Sequence, residues 1–376
     1  MDFNLYFKSR QGEIANLLKK LVHLESPTSD KKAVDACTAF VVQEFRKLGV
    51  RVTRLPQKDI GDLCVIESSA KDRSASRDQI LVLTHADTVW PVGKIERMPF
   101  YISGPKVFGP GVLDMKAGLA MTIFALRTIR ELNLRPRKKT VVFVNSAEET
   151  GSQASTKTIK DLARRSSLVL CLEPALPGGA LKLQRKGRLN VRLETGGRAA
   201  HGGSPEKGIN AIEELIFQLR RLKQVRIQGT TINIGLIGGG ERDNMVAEKA
   251  WAVLDFRFWE NRHKEKIIDF LKQLKPRTRG ATVKFSLEGA TPPMEKTKAS
   301  WDLLLRVREM ASGLNINLEA GKAGGGSDGS IASSLGVPTL DGLGPDGDGM
   351  HAETEHLLLP SLVQRTALLT QLLWQL

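Results

Sequence analysis

The stretch TVVFVNSAEETGS, Thr140 to Ser152, runs apolar and β-branched residues straight into two adjacent glutamates, Glu148 and Glu149. A carboxylate pair at the end of a buried strand is costly unless a cation accompanies it. Two other strand-like runs end in the same way: ILVLTHADT in His85 and Asp87, and VLCLEP in Glu173. FGPGVLDMKAG places Asp114 in a Gly-rich turn just before a helix, and DGLGPDGDGMHAETEH brings His351 after a Gly/Asp loop. The chain has only six histidines, so His85 and His351, each in a loop following a strand, form a meaningful pair. Two histidines with at least three carboxylates make a mixed nitrogen and oxygen donor set that suits Zn²⁺, and Co²⁺ or Mn²⁺ can use the same site. The set is too large and too oxygen-rich for a closed four-ligand structural zinc site. Two ions ~3.5–4 Å apart that share one carboxylate use five ligands and leave room for a water that ionises near neutral pH. A nearby carboxylate can take that water's proton.

Taken singly, each piece has a plainer reading. His85 and Asp87 share one face of an extended segment, where the aspartate can accept the imidazole's second N–H. Alone, that pair also fits a surface histidine beside a solvated aspartate. Asp114 alone fits a helix N-cap, and His351 alone fits an exposed loop residue.

What must position these residues is an alternation of strand and helix. RVTRLP, DLCVIESS, QILVLTH, TVVFVNS and LVLCLEP read as short strands, and MKAGLAMTIFALRTIREL carries apolar residues at helical spacing. That rhythm predicts an α/β domain with a largely parallel sheet, whose carboxyl edge is where ligands bind. Near Leu181 the rhythm changes to β-α-β-β-α-β: LNVRLETGG, KGINAIEELIFQLRRLK, TTINIGLIGGG, KAWAVLDFRFWE, a helix from about Lys264 to Lys275, and ATVKFSLEG. This is the order of a ferredoxin-like unit. From about Pro292 the first pattern resumes and closes on a helix near Leu359 to Leu376. The simplest organisation is a catalytic α/β domain over 1–180 and 292–376, interrupted by an inserted domain over 181–291. The N-terminal run MDFNLYFKSRQGEIANLLKKLVHLES reads as one helix without the features of a signal peptide.

At 376 residues the chain is long for one core. Its formal charge of +15 favours anionic partners, and part of that excess lies between Lys182 and Arg226, with eleven Lys or Arg against four Glu. A solvated basic face explains it as well. Two tyrosines and no interleaved aromatic and basic motif argue against a nucleic-acid surface. No apolar run reaches the ~18 residues of a membrane span, and the Pro, Gln, Arg and Thr of LLLPSLVQRTALLTQLLWQL favour a packed amphipathic helix. Three cysteines without CxxC spacing predict buried thiols in a reducing compartment, so the expected location is cytoplasmic.

THADTV, GPGVLDMKAG, SAEETGS, LEPA, AAHGGSPEKGINAIEEL, GGGSD and GMHAETE together resemble, in order and across nearly the whole chain, one family of di-zinc metallopeptidases. It includes carboxypeptidase G, aminoacylase, acetylornithine deacetylase and succinyl-diaminopimelate desuccinylase. The resemblance implies two Zn²⁺ per chain, one held by His85 and Glu173, the other by Glu149 and His351, with Asp114 bridging. It makes Glu148 the general base and Asp87 the residue that orients His85, and it implies a cis peptide between Asp114 and Met115. The inserted domain resembles a lid that also forms a homodimer, with His201 reaching the partner's site to stabilise the oxyanion. Asn244 and Arg257 match positions used for the oxyanion region or a substrate carboxylate. Gly325 and Ser327, in GGGSD, belong to a loop able to offer backbone N–H groups to a carboxylate; a phosphate loop would need a Gly-Lys-Ser/Thr ending. The implied reaction is hydrolysis of an amide bond next to a free carboxylate, in a small acidic peptide or an N-acyl amino acid. A glutamate carboxypeptidase is the first reading, and an N-acyl-amino-acid deacylase or desuccinylase the alternative. One departure bears on glutamate: Thr291 stands where relatives near carboxypeptidase G carry an arginine.

Overall fold

The structure is a computed structural model that describes residues 2–68, 79–224 and 226–376; Ser69, the last residue of the DLCVIESS run, lies outside them. The chain divides into two compact units. One comprises Met1–Gln184, Lys296–Ala323 and Ser327–Leu376, the other Arg185–Glu295 with Gly324–Gly326.

The first unit is built on a six-stranded sheet in the order Arg51–Leu55, Leu63–Glu67, Lys139–Asn145, Gln79–His85, Ser166–Cys171, Thr339–Leu340. The last four strands run parallel to one another, and the first two are antiparallel. The central strands are nearly continuous apolar runs because both faces of a parallel sheet are covered. Alternate side chains enter opposite cores. Ile80, Val82, Val142 and Val144 join one cluster with the helices Gln11–His23, Lys31–Arg46, Ala117–Glu131 and Leu359–Gln375. Leu81, Leu83, Val141 and Phe143 join another with Thr156–Arg164 and Asp328–Ser333. The parallel register pairs His85 with Asn145 and Leu83 with Cys171, so the carboxyl ends of three strands finish side by side.

Two local readings need correction. The N-terminal run forms two helices, Phe3–Lys8 and Gln11–His23. Ser9 turns its hydroxyl back onto the Tyr6 carbonyl at 2.8 Å, a side-chain bond that competes with helix continuation. The helix read from Met115 starts at Ala117. Before it, Val112–Lys116 forms a π-helical turn in which Asp114 (φ −113, ψ 97) and Met115 (φ −129, ψ 43) are not helical, and the Asp114–Met115 peptide is cis. The sequence patterns also gave no sign of a small antiparallel sheet in the order Gly347–Asp348, His356–Leu358, Lys106–Phe108, Tyr101–Ser103. Its strands are two or three residues long, too short for a period to show.

The second unit is an antiparallel sheet in the order Thr230–Gly239, Lys249–Phe258, Gly187–Gly196, Thr282–Thr291. One face packs Leu189, Val191, Leu193, Ala252 and Leu254 against the helices Ala211–Gln224 and Asn261–Lys272. The element order is β-α-β-β-α-β, the ferredoxin-like arrangement. Cys37, Cys64 and Cys171 are buried and form no disulfide. Among the described residues, no helix is long and apolar enough to cross a membrane.

Candidate metal centre

Each acid or histidine sits where a strand or a tight turn ends. His85 is the last residue of its strand, Glu148 and Glu149 follow the Asn145 strand, and Glu173 follows the Cys171 strand. Asp114 lies in the π-turn, and His351 in the loop between Gly347–Asp348 and His356–Leu358, with φ 61.

These residues converge in two triplets. His85 Nε2 lies 3.3 Å from Asp114 Oδ1 and 3.6 Å from Glu173 Oε1. His351 Nε2 lies 3.4 Å from Asp114 Oδ2 and 3.3 Å from Glu149 Oε2. Asp114 thus gives one oxygen to each histidine. Two donor atoms bound to a tetrahedral zinc at 2.0–2.2 Å are about 3.3–3.6 Å apart, which matches all four distances. His85 Nε2, Asp114 Oδ1 and Glu149 Oε1 are buried and have no hydrogen-bond partner. Buried polar atoms are rarely left orphaned, and one donor atom each of His85, Asp114 and Glu149 lies within 4.8 Å of the others. The donor set fits a pair of divalent ions. A Glu148 oxygen lies with the donor atoms of His85 and Glu173 within a span of 4.8 Å.

The electrostatics follow from packing like charges around two imidazoles. Burial opposes charge on His85, but the carboxylates of Asp114, Asp87 and Glu173 carry its pKa well above the usual range. Asp114 is also desolvated, yet His351 and His85 hold its carboxyl well below the ordinary value. His351 is raised to about 10 by Asp114 and Glu149. Glu148 is pushed well above the usual carboxyl range by desolvation and by repulsion from Glu173, with His85 opposing.

Asp87 does more than face its histidine. His85 Nδ1 lies 2.9 Å from the Asp87 backbone carbonyl and 3.5 Å from its carboxylate. That carboxylate, fully buried, accepts Thr28 Oγ1 at 2.8 Å and the backbone N–H groups of Glu148 and Glu149, each at 3.2 Å. One aspartate therefore fixes both the imidazole and the turn that carries the glutamates. Leaving those N–H groups without an acceptor would cost on the order of 1–3 kcal/mol each.

Other residues expected from the sequence lie in the second unit or on the loop 324–327. His201 is exposed, and its Nδ1 accepts the Gly203 N–H at 3.0 Å. A neutral ring that accepts at Nδ1 carries its proton on Nε2, free to donate. Gly202 N–H bonds to the Asn244 carbonyl at 2.8 Å, which brings the His201 and Asn244 segments together. Arg257 is held by Asp255 at 2.9 and 3.2 Å, and Arg188 reaches the same carboxylate at 3.1 Å. Thr291 stands opposite Arg188 in the strand register. The carbonyls of Gly325 and Gly326 accept from the buried Arg185 at 3.3 and 3.0 Å. Ser327 donates its hydroxyl to buried Asp341 at 2.5 Å.

Two carboxylates escaped the sequence reading. Asp328 is buried, accepts from Asn145 at 2.7 Å and from Ser152 at 2.5 Å, and so braces both ends of the turn bearing Glu148 and Glu149. Burial and nearby Glu173 lift its pKa to about 6 against those two hydrogen bonds. Glu355 is buried and accepts four N–H groups around Asp114. Asp328 closes the motif GGGSD and Glu355 the motif GMHAETE, but neither received a role there, because acids next to glycine loops are usually solvated.

The model of peptidase family M20/M25/M40 matches residues 81–375. Carboxypeptidase G2 of Pseudomonas sp. (strain RS-16) is 27% identical over 99% of this chain and 92% of its own length. Succinyl-diaminopimelate desuccinylase of Corynebacterium glutamicum is 24% identical over 96% of each chain. Among solved structures, aminopeptidase PepT from Bacillus cereus superposes with a TM-score of 0.79 at 21% identity, covering 96% of this chain and 98% of its own. The Bacillus subtilis YXEP protein, described as a dinuclear metal-binding peptidase of family M20, superposes with a TM-score of 0.71 at 14% identity, covering 98% and 99%. The chain belongs to peptidase family M20/M25/M40 and is a metallopeptidase or amidohydrolase of that family.

Proposed function

We propose that the chain is a dinuclear zinc hydrolase that cleaves an amide bond next to a free carboxylate, in the manner of a glutamate carboxypeptidase. The observation that carries this reading is the pair of histidine–carboxylate triplets sharing Asp114, with Glu148 beside one of them. His85, Asp114 and Glu173 would hold one ion, and His351, Asp114 and Glu149 the other. Such a pair supplies Lewis acidity and lowers the pKa of a water brought to it. Glu148 takes a proton from the attacking water and returns it to the amide nitrogen as the C–N bond breaks. A carboxyl with a raised pKa suits both halves of that transfer. Asp87 orients His85, and His201 of a partner chain donates to the developing oxyanion from Nε2.

A carboxylate is best matched by a cation, and one cluster in the second unit carries a surplus of one. Arg188 and Arg257 share one carboxylate, Asp255, so the three groups carry one net positive charge. Asn244, Arg257, Gly325 and Ser327 are the candidate groups for the carboxylate of an acidic peptide or N-acyl amino acid. The likeness to carboxypeptidase G2 supports a glutamate product, whereas the likeness to a desuccinylase and Thr291 in place of an arginine support the deacylase alternative. A homodimer through the lid is supported by exposed Leu236 and Ile237 on the edge strand Thr230–Gly239. Buried cysteines that form no disulfide support a reducing, cytoplasmic setting.

Metal analysis of the purified chain, coupled to turnover of folate-like glutamates, acyl-glutamates and dipeptides, tests the reading. Two zinc per chain and a preference for peptidyl or pteroyl glutamates are expected. A Glu148→Ala chain should keep its metal and lose turnover by about 10²–10⁴-fold or more. Substantial residual activity would overturn the assignment of the base.

A further inference from the structure

We propose that Glu355 is a positioning residue for the shared aspartate, tying the Asp114 turn to the His351 loop so that both triplets are set by one buried carboxylate. Its Oε1 accepts the backbone N–H groups of Leu113 at 2.9 Å and Asp114 at 3.1 Å. Its Oε2 accepts Gly111 N–H at 2.9 Å and the Trp90 indole N–H at 2.8 Å. Four donors fill both oxygens, which leaves Glu355 no capacity to act as a metal ligand. Successive backbone N–H groups aimed at one point form an anion-binding concavity. Gly111 makes this one possible. Its φ is +69, and a Cβ there would lie 2.6 Å from Thr88 Cγ2.

The carboxylate belongs to the same short loop as His351, four residues further on. That loop closes on itself through Ala352 N–H to Gly349 O at 2.8 Å and Glu355 N–H to Ala352 O at 2.9 Å. His356 then pairs with Phe108 in the small sheet. Glu355 therefore links two segments that come from distant parts of the chain, and each carries part of the ligand set. Asp114 has its own N–H pinned by Glu355 while its two oxygens point to different histidines. Displacing that N–H tilts the carboxylate toward one triplet and away from the other.

The inference rests on the two-ion reading above, and its test separates the two. Zinc affinity and the visible spectrum of the cobalt-substituted protein are measured for wild type, Glu355→Gln, Glu355→Asp and a matched control, Glu214→Gln. Glu214 is also buried and accepts two backbone N–H groups, from Arg277 and Thr278 at 3.0 Å each, but it lies in the second unit. In Glu355→Gln an amide NH₂ faces N–H donors. Metal affinity should fall about 10–100-fold, as for other residues that orient ligands, the cobalt bands should shift, and kcat should fall with KM little changed. Glu355→Asp, which keeps the charge, should recover part of each and serves if the glutamine variant does not fold. Glu214→Gln should lower the melting temperature and leave metal affinity and spectrum unchanged. Wild-type affinity and spectrum in a folded Glu355 variant, whatever its melting temperature, overturn the proposal while leaving the two-ion reading intact. A wild-type chain that takes up no metal overturns both.

Discussion

The two halves of the candidate metal centre are made differently. The His85 half is sheet: its imidazole is 1% exposed, its strand is paired on both sides, and Glu173 follows the neighbouring strand. The His351 half is loop: its imidazole is 52% exposed, its backbone sits at φ 61, and its partner Glu149 lies in a turn. Asp114 is common to both. One half is preorganised by strand register, which cannot slip without turning buried side chains to the wrong face. The other is held by hydrogen bonds between loops and turns, with no strand register behind them, and loops open more readily than central strands.

The sharpest way to break this contrast is at the shared residue. Asp114→Ala should remove both ions and all measurable turnover, read as metal content and kcat together; retention of either ion would show that the triplets are independent. Next in size come the single histidines. His351→Ala should keep one ion on the His85 side, whereas His85→Ala should also lower thermal stability, because its place lies inside the core edge. Titration of the wild-type enzyme with a chelator should be biphasic, with the loop-side ion leaving first. A single phase would mean that the aspartate bridge dominates the difference in burial. His201→Ala should lower kcat by about 10²–10³-fold, the usual loss for one oxyanion donor, with metal content unchanged. A fall in metal content there would place His201 in the wrong role.

The same contrast explains what the sequence could convey. The clustering of His85, Glu149 and Glu173 at strand ends was legible because a buried apolar run, a sharp polarity change and a metal-binding residue type occur within a few positions, as in VVFVNSAEE. The parallel sheet and the antiparallel insert were legible because their strands are long enough to show a pattern. The brace residues were not. Asp328, Glu355 and Thr28 act through hydrogen bonds to groups distant in sequence, side chains for Asp328 and Thr28 and backbone N–H groups for Glu355, and no spacing encodes those partners. Asp87 was visible as a neighbour of His85, but its grip on the Glu148 and Glu149 amides depends on two strands finishing side by side. The break at Ser9 and the π-turn at Asp114 are likewise set by local bonds that periodicity averages away.

The smallest effect sharpens the claim that the sheet half stands without its ions. Cys64 and Cys171 lie on strands of that sheet and Cys37 on a helix covering it, all buried. Alkylation of the native chain should be slow for all three thiols and should stay slow after chelation, whereas proteolysis in the Gly347–Glu355 loop should rise. Rapid labelling of Cys171, two residues before Glu173, in the metal-free chain would mean that the sheet edge also needs the metal. Cys64 supplies a pH signature of the same packing. Burial pushes its thiol up from 9.0 to about 12. A group whose pKa is raised on folding contributes stability that is full below its unfolded value and lost as pH rises toward the folded one. The metal-free chain should therefore lose about 2 kcal/mol between pH 8 and pH 10.5 through this residue, at ~1.4 kcal/mol per pH unit. In Cys64→Ala that part of the alkaline loss should vanish, visible as a flatter dependence of melting temperature on pH. An unchanged slope would mean that strand Leu63–Glu67 is more open to water than its burial implies, and that the rigid half of the comparison is narrower than the whole sheet.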